Sequence, residues 1–240
     1  MYDAFSRMGF YNLNPDRIRE PQKPEQGDLL TRDGSNLASV IDQMEKSAHP
    51  AKERIQEYLG KVVPGVHGVR HKDVGSMETL EFRQNVVGAS APWRFPAASM
   101  SDGTLRALGV LVALLQSQDG AQVEVPLVGI EEPEVALHPA AAGVLLDALR
   151  DAAPHTQVIV TSHSPDLLDD DRLETESILA VTARDGETQI AALDKVGREA
   201  LRTHLYTAGE LLRLNQLTPD PAQIAKVTGD QLKLFDEGRG

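Results

Sequence analysis

The sequence predicts an α/β protein built on a mainly parallel sheet flanked by helices. Two short runs rich in β-branched apolar residues, 125–130 and 157–161, are separated by a helical segment at 139–152. Strands that are apolar throughout, without alternation, are typical of parallel strands buried on both faces. A nearly all-apolar helix at 101–118 precedes them, and a helix apolar on most of its surface belongs in a core.

The N-terminal part of the chain is predicted to be a smaller helical and β region. Residues 1–36 are rich in proline and turn dipeptides and are predicted to be irregular. The remaining predictions for this part are a helix from Ser35-Asn36 to about Lys46, a helix at about 50–60, strands at 66–71 and 77–85, and a Pro/Ala loop at 88–100 that holds the only Trp.

The part of the chain after 161 is predicted to continue with short elements. They are a helix near 165–168, a hairpin of strands 177–183 and 187–193 joined through Arg184-Asp185-Gly186, helical residues 195–216 broken at Thr207-Ala-Gly209, and a frayed polar tail from about 220. These patterns predict three regions: an insertion at 1–99, a core at 100–216 and a flexible tail at 217–240.

Composition limits the classes of protein. With 41% apolar and 25% charged residues, the chain has an ordinary globular composition. No apolar run approaches the ~18 residues of a membrane span, and the N-terminus has no apolar signal core, so we expect a cytoplasmic protein without a membrane partner. The absence of cysteine excludes disulfides and thiolate metal sites.

The net charge of −12 argues against broad, non-specific coating of nucleic acid, although local basic clusters remain. One cluster is formed by Arg17, Arg19 and Lys23, and the other by Arg70, His71 and Lys72. Each is either a solvated surface or a local nucleic-acid contact.

Polar residues follow both apolar strands of the predicted core. Glu131 and Glu132 end the first strand, and His163 follows the second. In open α/β sheets, ligands bind at the carboxyl edge of the strands. Two adjacent carboxylates repel each other unless a cation neutralises them, and Mg²⁺ binds through a few carboxylates together with substrate phosphates. The pattern predicts a metal-nucleotide site, with a solvated acidic loop and a structural histidine as the alternatives.

The segment Ser101-Asp102-Gly103 opens the apolar helix. Ser101 or Asp102 can serve as an ordinary N-cap that satisfies free backbone N–H groups. A helix N-terminus opened by Ser and Gly is equally suited to a phosphate group. The segment alone does not decide between these two roles.

Together these motifs resemble the ABC-type ATPase superfamily, in particular its RecF/SMC/OLD-like branch of AAA ATPases in DNA repair and phage defence. Met100–Thr104 resembles the signature motif, 125–132 the Walker B strand with its catalytic glutamate, and Glu132–Pro139 the Glu-Pro-Glu-x-x-Leu-His-Pro form of this branch. His163 matches the switch histidine. Glu131 departs from the family, which usually has aspartate at that position.

The resemblance implies a P-loop NTPase fold with ATP and Mg²⁺ as cofactors. It implies that Glu131 binds the metal, that Glu132 activates water, that His163 contacts the γ-phosphate, and that Ser101, Asp102 and Gly103 contact the ATP of a second head. The printed sequence contains no G-x-x-x-x-G-K-[ST] phosphate loop, so it resembles the C-terminal half of such a head. We therefore expect a partner segment or subunit that bears this loop, a homodimer or higher oligomer, and DNA or an effector nuclease as a possible target.

Two alternative functions stay open. The chain could be a non-catalytic regulatory or assembly subunit that keeps the fold. It could also be a metal-dependent nuclease that uses Glu131, Glu132, Glu134 and His138 or His163 directly.

Overall fold

The computed structural model describes residues 7–47, 50–117, 124–184 and 186–224. The strands are β1 (Gly9–Tyr11), β2 (Val66–Val74), β3 (Met77–Gln84), β4 (Trp93–Pro96), β5 (Leu127–Glu131), β6 (Gln157–Thr161), β7 (Leu179–Arg184) and β8 (Glu187–Ala192). The helices are α1 (Pro15–Arg19), α2 (Leu37–Lys46), α3 (Pro50–Val62), α4 (Asp102–Leu115), α5 (Ala142–Ala152), α6 (Pro165–Leu168), α7 (Lys195–Arg202) and α8 (Ala208–Arg213), with short 3₁₀ turns at Ala97–Ser99, Pro139–Ala141 and Thr175–Ser177.

The central sheet is parallel, as the sequence predicts, and has the order β1-β5-β6. Helices flank it, and the predicted α/β class with a parallel sheet is confirmed. Its outer strand β1 falls within residues 1–36, which the sequence predicts to be irregular; that prediction is wrong for β1 and for α1. A three-residue strand carries too little local pattern to be found, and only its pairing with β5 defines it.

The two faces of this sheet differ in burial. On one face, Tyr11, Val128 and Ile130 are buried, and α4 packs against β5 there. On the other face, Phe10, Gly129 and Ile159 stand side by side in register across the three strands. Phe10 is 56% exposed and Ile159 is 46% exposed. An apolar face of a parallel sheet open to solvent is unusual, because such sheets are normally covered on both faces.

The hydrophobic core next to the central sheet is centred on α4. Every described residue of α4 from Thr104 to Leu115 is buried, and α3 and α5 pack against the helix. Leu105 and Leu108 are fully buried. The predicted all-apolar core helix at 101–118 is confirmed over Asp102–Leu115, whereas residues 116 and 117 form a turn and residue 118 lies outside the described residues.

A second, antiparallel sheet has the order β2-β3-β4. The predicted strands at 66–71 and 77–85 are confirmed as β2 and β3. The predicted loop at 88–100 is wrong at residues 93–96, where Trp93–Pro96 pairs with β3. The prolines and alanines of this segment gave a loop pattern, and the pairing with β3 overrides it.

The chain divides into two compact units, Met1–His163 and Ser164–Gly240. Within the second unit, β7 and β8 form the predicted hairpin, and Thr207 caps α8 at the predicted helix break. The predicted tail beyond residue 224 lies outside the described residues. The predicted region boundaries at 99 and 216 stay predictions. None of the described helices is both long enough and apolar enough to cross a membrane.

Candidate functional site

The candidate site lies at the carboxyl edge of the central sheet, where β5 and β6 end. Glu131 is the last residue of β5 and is paired in register with Thr161, the last residue of β6. The backbone N–H of Glu132 donates a hydrogen bond of 2.9 Å to the carbonyl of Thr161. This bond extends the pairing by one step and holds the two strand ends together. The structure thus brings Glu131 and Glu132, called the acid pair below, next to the loop that carries His163.

Glu132 and His163 face each other across this edge. His163 Nε2 lies 3.8 Å from Glu132 Oε1. The side chain of Glu132 is 40% exposed and that of His163 is 87% exposed. A contact this open to water contributes little to stability. The two side chains are therefore free to engage a ligand without losing a strong contact.

Glu131 is held by a residue that follows the first strand. The side-chain amide of Asn12, which follows β1, donates a hydrogen bond of 3.0 Å to Glu131 Oε2. Glu131 is exposed. Asn12 also lines an open groove of about 790 Å³ together with Asn14, Arg32 and Arg106. Glu131 is therefore linked through Asn12 to a groove that is accessible to solvent.

The loop from 132 to 138 is fixed by turns and by one side-chain contact. Two of its residues, Glu132 (φ +44°) and Ala136 (φ +65°), adopt left-handed backbone conformations. Ser162 Oγ donates a hydrogen bond of 2.5 Å to Glu134 Oε1, which joins the loop to the end of β6. His138 Nδ1 accepts a hydrogen bond from the backbone N–H of Ala140. Glu134 and His138 are thus engaged in shaping the loop.

The N-terminus of α4 carries the other predicted site residues. Ser101 is the N-cap, and its Oγ accepts a hydrogen bond of 3.2 Å from the Thr104 N–H. Asp102, in the first turn, forms an ion pair of 2.5 Å with Arg19 of α1. The ordinary capping role of Ser101 is therefore present. A second role toward a nucleotide stays a prediction for Ser101, Asp102 and Gly103.

Gly103 has a structural reason to be glycine. A Cβ atom at this position would lie 2.2 Å from the backbone carbonyl oxygen of Ala136. The helix N-terminus and the loop after Glu132 therefore approach more closely than any other residue would allow. The sequence predicted Gly103 as a nucleotide contact and gave no indication of this packing.

Two further residues at the site were missed by the sequence analysis. Asn12 holds Glu131, as described above. Arg106 of α4 is buried and donates hydrogen bonds to the carbonyls of Glu131 and Glu132. The signal for Arg106 in the sequence was a charged residue between apolar neighbours in the middle of a buried helix, since buried arginines require partners.

The donor set at the edge fits a magnesium-nucleotide complex and does not fit a metal held by protein ligands alone. Among the residues that the structure describes, no three His, Asp or Glu side chains are grouped so that they could hold a metal ion. Glu131 offers one exposed carboxylate. Mg²⁺ is commonly bound by one or two carboxylates with waters and substrate phosphates, so Glu131 would hold the ion only together with a phosphate ligand.

The two basic clusters differ in how far they are engaged within the chain. Arg19 pairs with Asp16 and Asp102. Arg70 and Lys72 both pair with the buried carboxylate of Glu81 at 2.6 and 2.7 Å. His71 Nε2 lies 3.0 Å from the buried Glu78. These contacts favour the structural interpretation of the second cluster, whereas Arg17 and Lys23 of the first cluster are exposed.

Comparison with known families decides the class of the domain. A family model described as "AAA domain, putative AbiEii toxin, Type IV TA system" matches residues 3–169, well over half of the chain. The chain belongs to this AAA family. The family match, together with the parallel sheet, supports a P-loop ATPase-like domain. No curated protein matches the chain.

Solved structures that resemble this AAA domain are heads of SMC ATPases. One, from work on ATP-driven dimerization and DNA-stimulated activation of SMC ATPases, is 17% identical with a TM-score of 0.46, over 68% of this chain and 95% of that one. An Smc head with a coiled coil and joint from Pyrococcus yayanosii is 17% identical with a TM-score of 0.46, over 72% and 34%. The SMC head from Thermotoga maritima is 16% identical with a TM-score of 0.40, over 65% and 52%. The chain thus spans only about a third to a half of the last two structures. At these values the likeness concerns the fold alone.

Proposed function

We propose that this AAA domain is the catalytic half of an ABC-type ATPase head that hydrolyses ATP once a phosphate-loop segment or subunit completes it. The observation that carries the proposal is the edge of the sheet, where Glu131 and Glu132 end β5 and His163 lies 3.8 Å from Glu132. The printed sequence has no phosphate loop, and such a loop supplies much of the grip on phosphates.

The residues present suit distinct roles at such a site. Glu132 would accept a proton from an attacking water, a role supported by the 40% exposure of its side chain and by the nearby His163. His163 can donate a hydrogen bond to a phosphate oxygen. Glu131, oriented by Asn12, would hold Mg²⁺ of the bound nucleotide. Bound Mg-ATP would supply the phosphoryl group and the charge that neutralises the adjacent carboxylates.

The open face of the central sheet supports the need for a completing segment. Phe10 lies against Gly129, and Ile159 stands beside them, so an apolar strip crosses three parallel strands in contact with solvent. Parallel sheets are covered on both faces in α/β proteins. A segment that brings the phosphate loop would also bring an element to cover this face.

The N-terminus of α4 would serve a second head in this proposal. Ser101, Asp102 and Gly103 open α4, and the free N–H groups and dipole of a helix start favour phosphate. The active assembly would then be a homodimer or a higher oligomer. Its downstream target would be DNA or an effector protein such as a nuclease, in DNA repair or phage defence in the cytoplasm.

Substitution of Glu132 by glutamine tests the proposal. In the completed head, E132Q is expected to bind ATP, to lose hydrolysis by about 10²-fold or more, and to accumulate ATP-bound dimers, because the carboxylate that accepts the proton is gone. E53Q on the exposed surface of α3 is the matched control and should behave as the unmodified protein. ATPase assays and gel filtration with ATP are the measurements.

The other outcomes of this experiment identify the alternative functions. If E132Q changes neither hydrolysis nor assembly, the chain is a non-catalytic regulatory or assembly subunit. If E132Q abolishes DNA cleavage without any effect of ATP, it is a metal-dependent nuclease. Without the completing segment, the chain should bind Mg-ATP poorly and hydrolyse it negligibly. Micromolar binding by the isolated chain, measured by calorimetry, would contradict the half-site model.

A further inference from the structure

Arg106 is buried within α4, yet it reaches the ends of both β1 and β5. Its Nη1 donates a hydrogen bond of 2.7 Å to the carbonyl of Leu13, just beyond β1. Its Nη2 donates to the carbonyls of Glu131 and Glu132 at 3.0 and 3.1 Å. The side chain therefore joins the core helix to the backbone of the acid pair.

The surroundings of Arg106 show that it is committed to these backbone groups. Only 9% of the residue is exposed. None of the described carboxylates forms an ion pair with it, and its Nε is buried without a partner among the described residues. A buried guanidinium without a carboxylate depends on the carbonyls it contacts for its solvation. The carbonyls of Glu131 and Glu132 in turn accept hydrogen bonds from Arg106.

The conformation that Arg106 supports is one that the chain does not adopt by itself. Glu132 has a φ of +44°, a left-handed conformation that is uncommon for residues other than glycine. Such a conformation persists only where the surrounding structure fixes it. Here the Glu132 N–H is bound to Thr161 on one side, and the Glu132 carbonyl accepts from Arg106 and from the Val135 N–H on the other.

A second contact joins the same two elements. The N-terminus of α4 touches the loop after Glu132, where Gly103 packs against the carbonyl of Ala136. Ala136 is itself left-handed, with a φ of +65°. Two residues about one turn apart on α4, Gly103 and Arg106, thus contact the segment from Glu131 to Ala136.

We propose that Arg106 is a positioning residue that fixes the backbone of Glu131 and Glu132 to α4 and thereby aims the Glu132 carboxylate at the reacting water. The proposal deepens the proposed function and rests on it. It also gives α4 two roles. The start of α4 would bind the nucleotide of another head, and Arg106 of the same helix would hold the carboxylate of this head.

Hydrogen exchange in the full chain tests the structural part of this proposal without any nucleotide. R106M keeps a long side chain and removes all donors, whereas R106K keeps the charge but cannot fork to three carbonyls. In R106M the amides of Glu132, Val135 and Leu137 should exchange about 10-fold faster or more, with α2 unchanged. R106K should be intermediate. R94M, on the exposed β4, is the control and should match the unmodified protein.

ATP hydrolysis by the completed head tests the catalytic part. R106K and R106M should lower kcat by about 10- to 100-fold, because a misplaced catalytic group reacts slowly, while the KM for ATP changes less than about 2-fold. A residue that only stabilises the fold would instead lower the amount of active protein and leave kcat per folded head unchanged.

The two readouts separate the possible failures. If R106K folds and its loop amides exchange as in the unmodified protein, Arg106 does not position the acid pair, whatever the ATPase result. If the loop loosens in R106K or R106M but kcat per folded head is unchanged, the positioning role in catalysis is refuted. If the completed head shows no hydrolysis that depends on Glu132, the proposed function fails and the catalytic role of Arg106 fails with it, while the exchange data still decide the structural part.

Discussion

Replacement of Gly103 by alanine places a methyl group where the structure has no room for one. The added Cβ would lie 2.2 Å from the carbonyl oxygen of Ala136, whereas real Cβ atoms do not come within 3.0 Å of such an atom. The obstacle is backbone, so it cannot rotate away as a side chain would. Either the start of α4 or the loop after Glu132 must move by about 1 Å to restore an ordinary contact.

The cost of this movement can be bounded from the contacts. Forcing extra volume into a packed site costs about 1–3 kcal/mol. Alanine gains up to about 1 kcal/mol over glycine in a helix, and less at its first turn. The net loss in the free energy of unfolding for G103A is therefore about 1–2 kcal/mol. For a chain of this size, that corresponds to a fall in Tm of about 2–8 °C.

Gly109 in the same helix provides a matched control. A Cβ at Gly109 would lie 3.0 and 3.2 Å from the methyl carbons of Leu13, and these can shift slightly. G109A should therefore keep its Tm within about 2 °C or raise it, because the gain in helix propensity offsets a mild contact. Thermal unfolding followed by circular dichroism measures both variants. A G103A variant as stable as the unmodified protein, or a G109A variant that loses as much, would refute the packing argument.

A substitution at Gly103 displaces the start of α4, the loop from 132 to 138, or both. If G103A lowers ATP hydrolysis, the loss need not mean that Gly103 touches nucleotide, because the substitution displaces the loop that carries Glu132. Ser101 is the cleaner probe, since its side chain is exposed and, among the described residues, its hydrogen bonds are with the nearby Thr104.

Three further results are expected. S101A removes the N-cap of α4 and should lower the free energy of unfolding by about 1 kcal/mol; a larger loss of ATPase than of stability would indicate an added nucleotide contact. L108A empties a fully buried site and should cost about 2–5 kcal/mol in urea unfolding, and a loss below about 1 kcal/mol would contradict its burial. Burial alone would raise the pKa of Asp151, but hydrogen bonds from Tyr58 and Arg54 hold that pKa below its ordinary value. This carboxylate therefore stabilises the fold fully above its unfolded pKa of about 4, and the contribution disappears as pH falls through the lower folded pKa. D151N should thus cost up to about 1 kcal/mol at pH 7 and progressively less below about pH 4, measured by urea unfolding across pH.

Local pattern was sufficient where the chain repeats a period over many residues. The apolar run of α4 and the β-branched runs of β5 and β6 predicted a parallel sheet with a buried helix, and the structure has them. The ends of those strands also located Glu131, Glu132 and His163 correctly at one edge, because parallel strands bring their carboxyl ends together.

Short or non-local elements could not be predicted in this way. β1 consists of three residues in a proline-rich segment, and its identity as a strand comes from its pairing with Val128–Ile130. β4 lies in a segment with a loop composition and is defined by its pairing with β3. In both cases the segment is a strand because it pairs with another strand, and its own residues do not show this.

The sequence by itself determined the class of the fold, the order of its core elements and the residue types at the strand ends, because these follow from periodicity and local chemistry. Only the tertiary structure decided which side chains and backbone groups contact those residues. Asn12 reaches Glu131 across 119 positions of the chain. Arg106 of α4 donates hydrogen bonds to the carbonyls of Glu131 and Glu132, and Gly103 leaves space for the carbonyl of Ala136. These contacts depend on three-dimensional packing between segments that share no local pattern, which is why the residues that orient the site could not be found in advance.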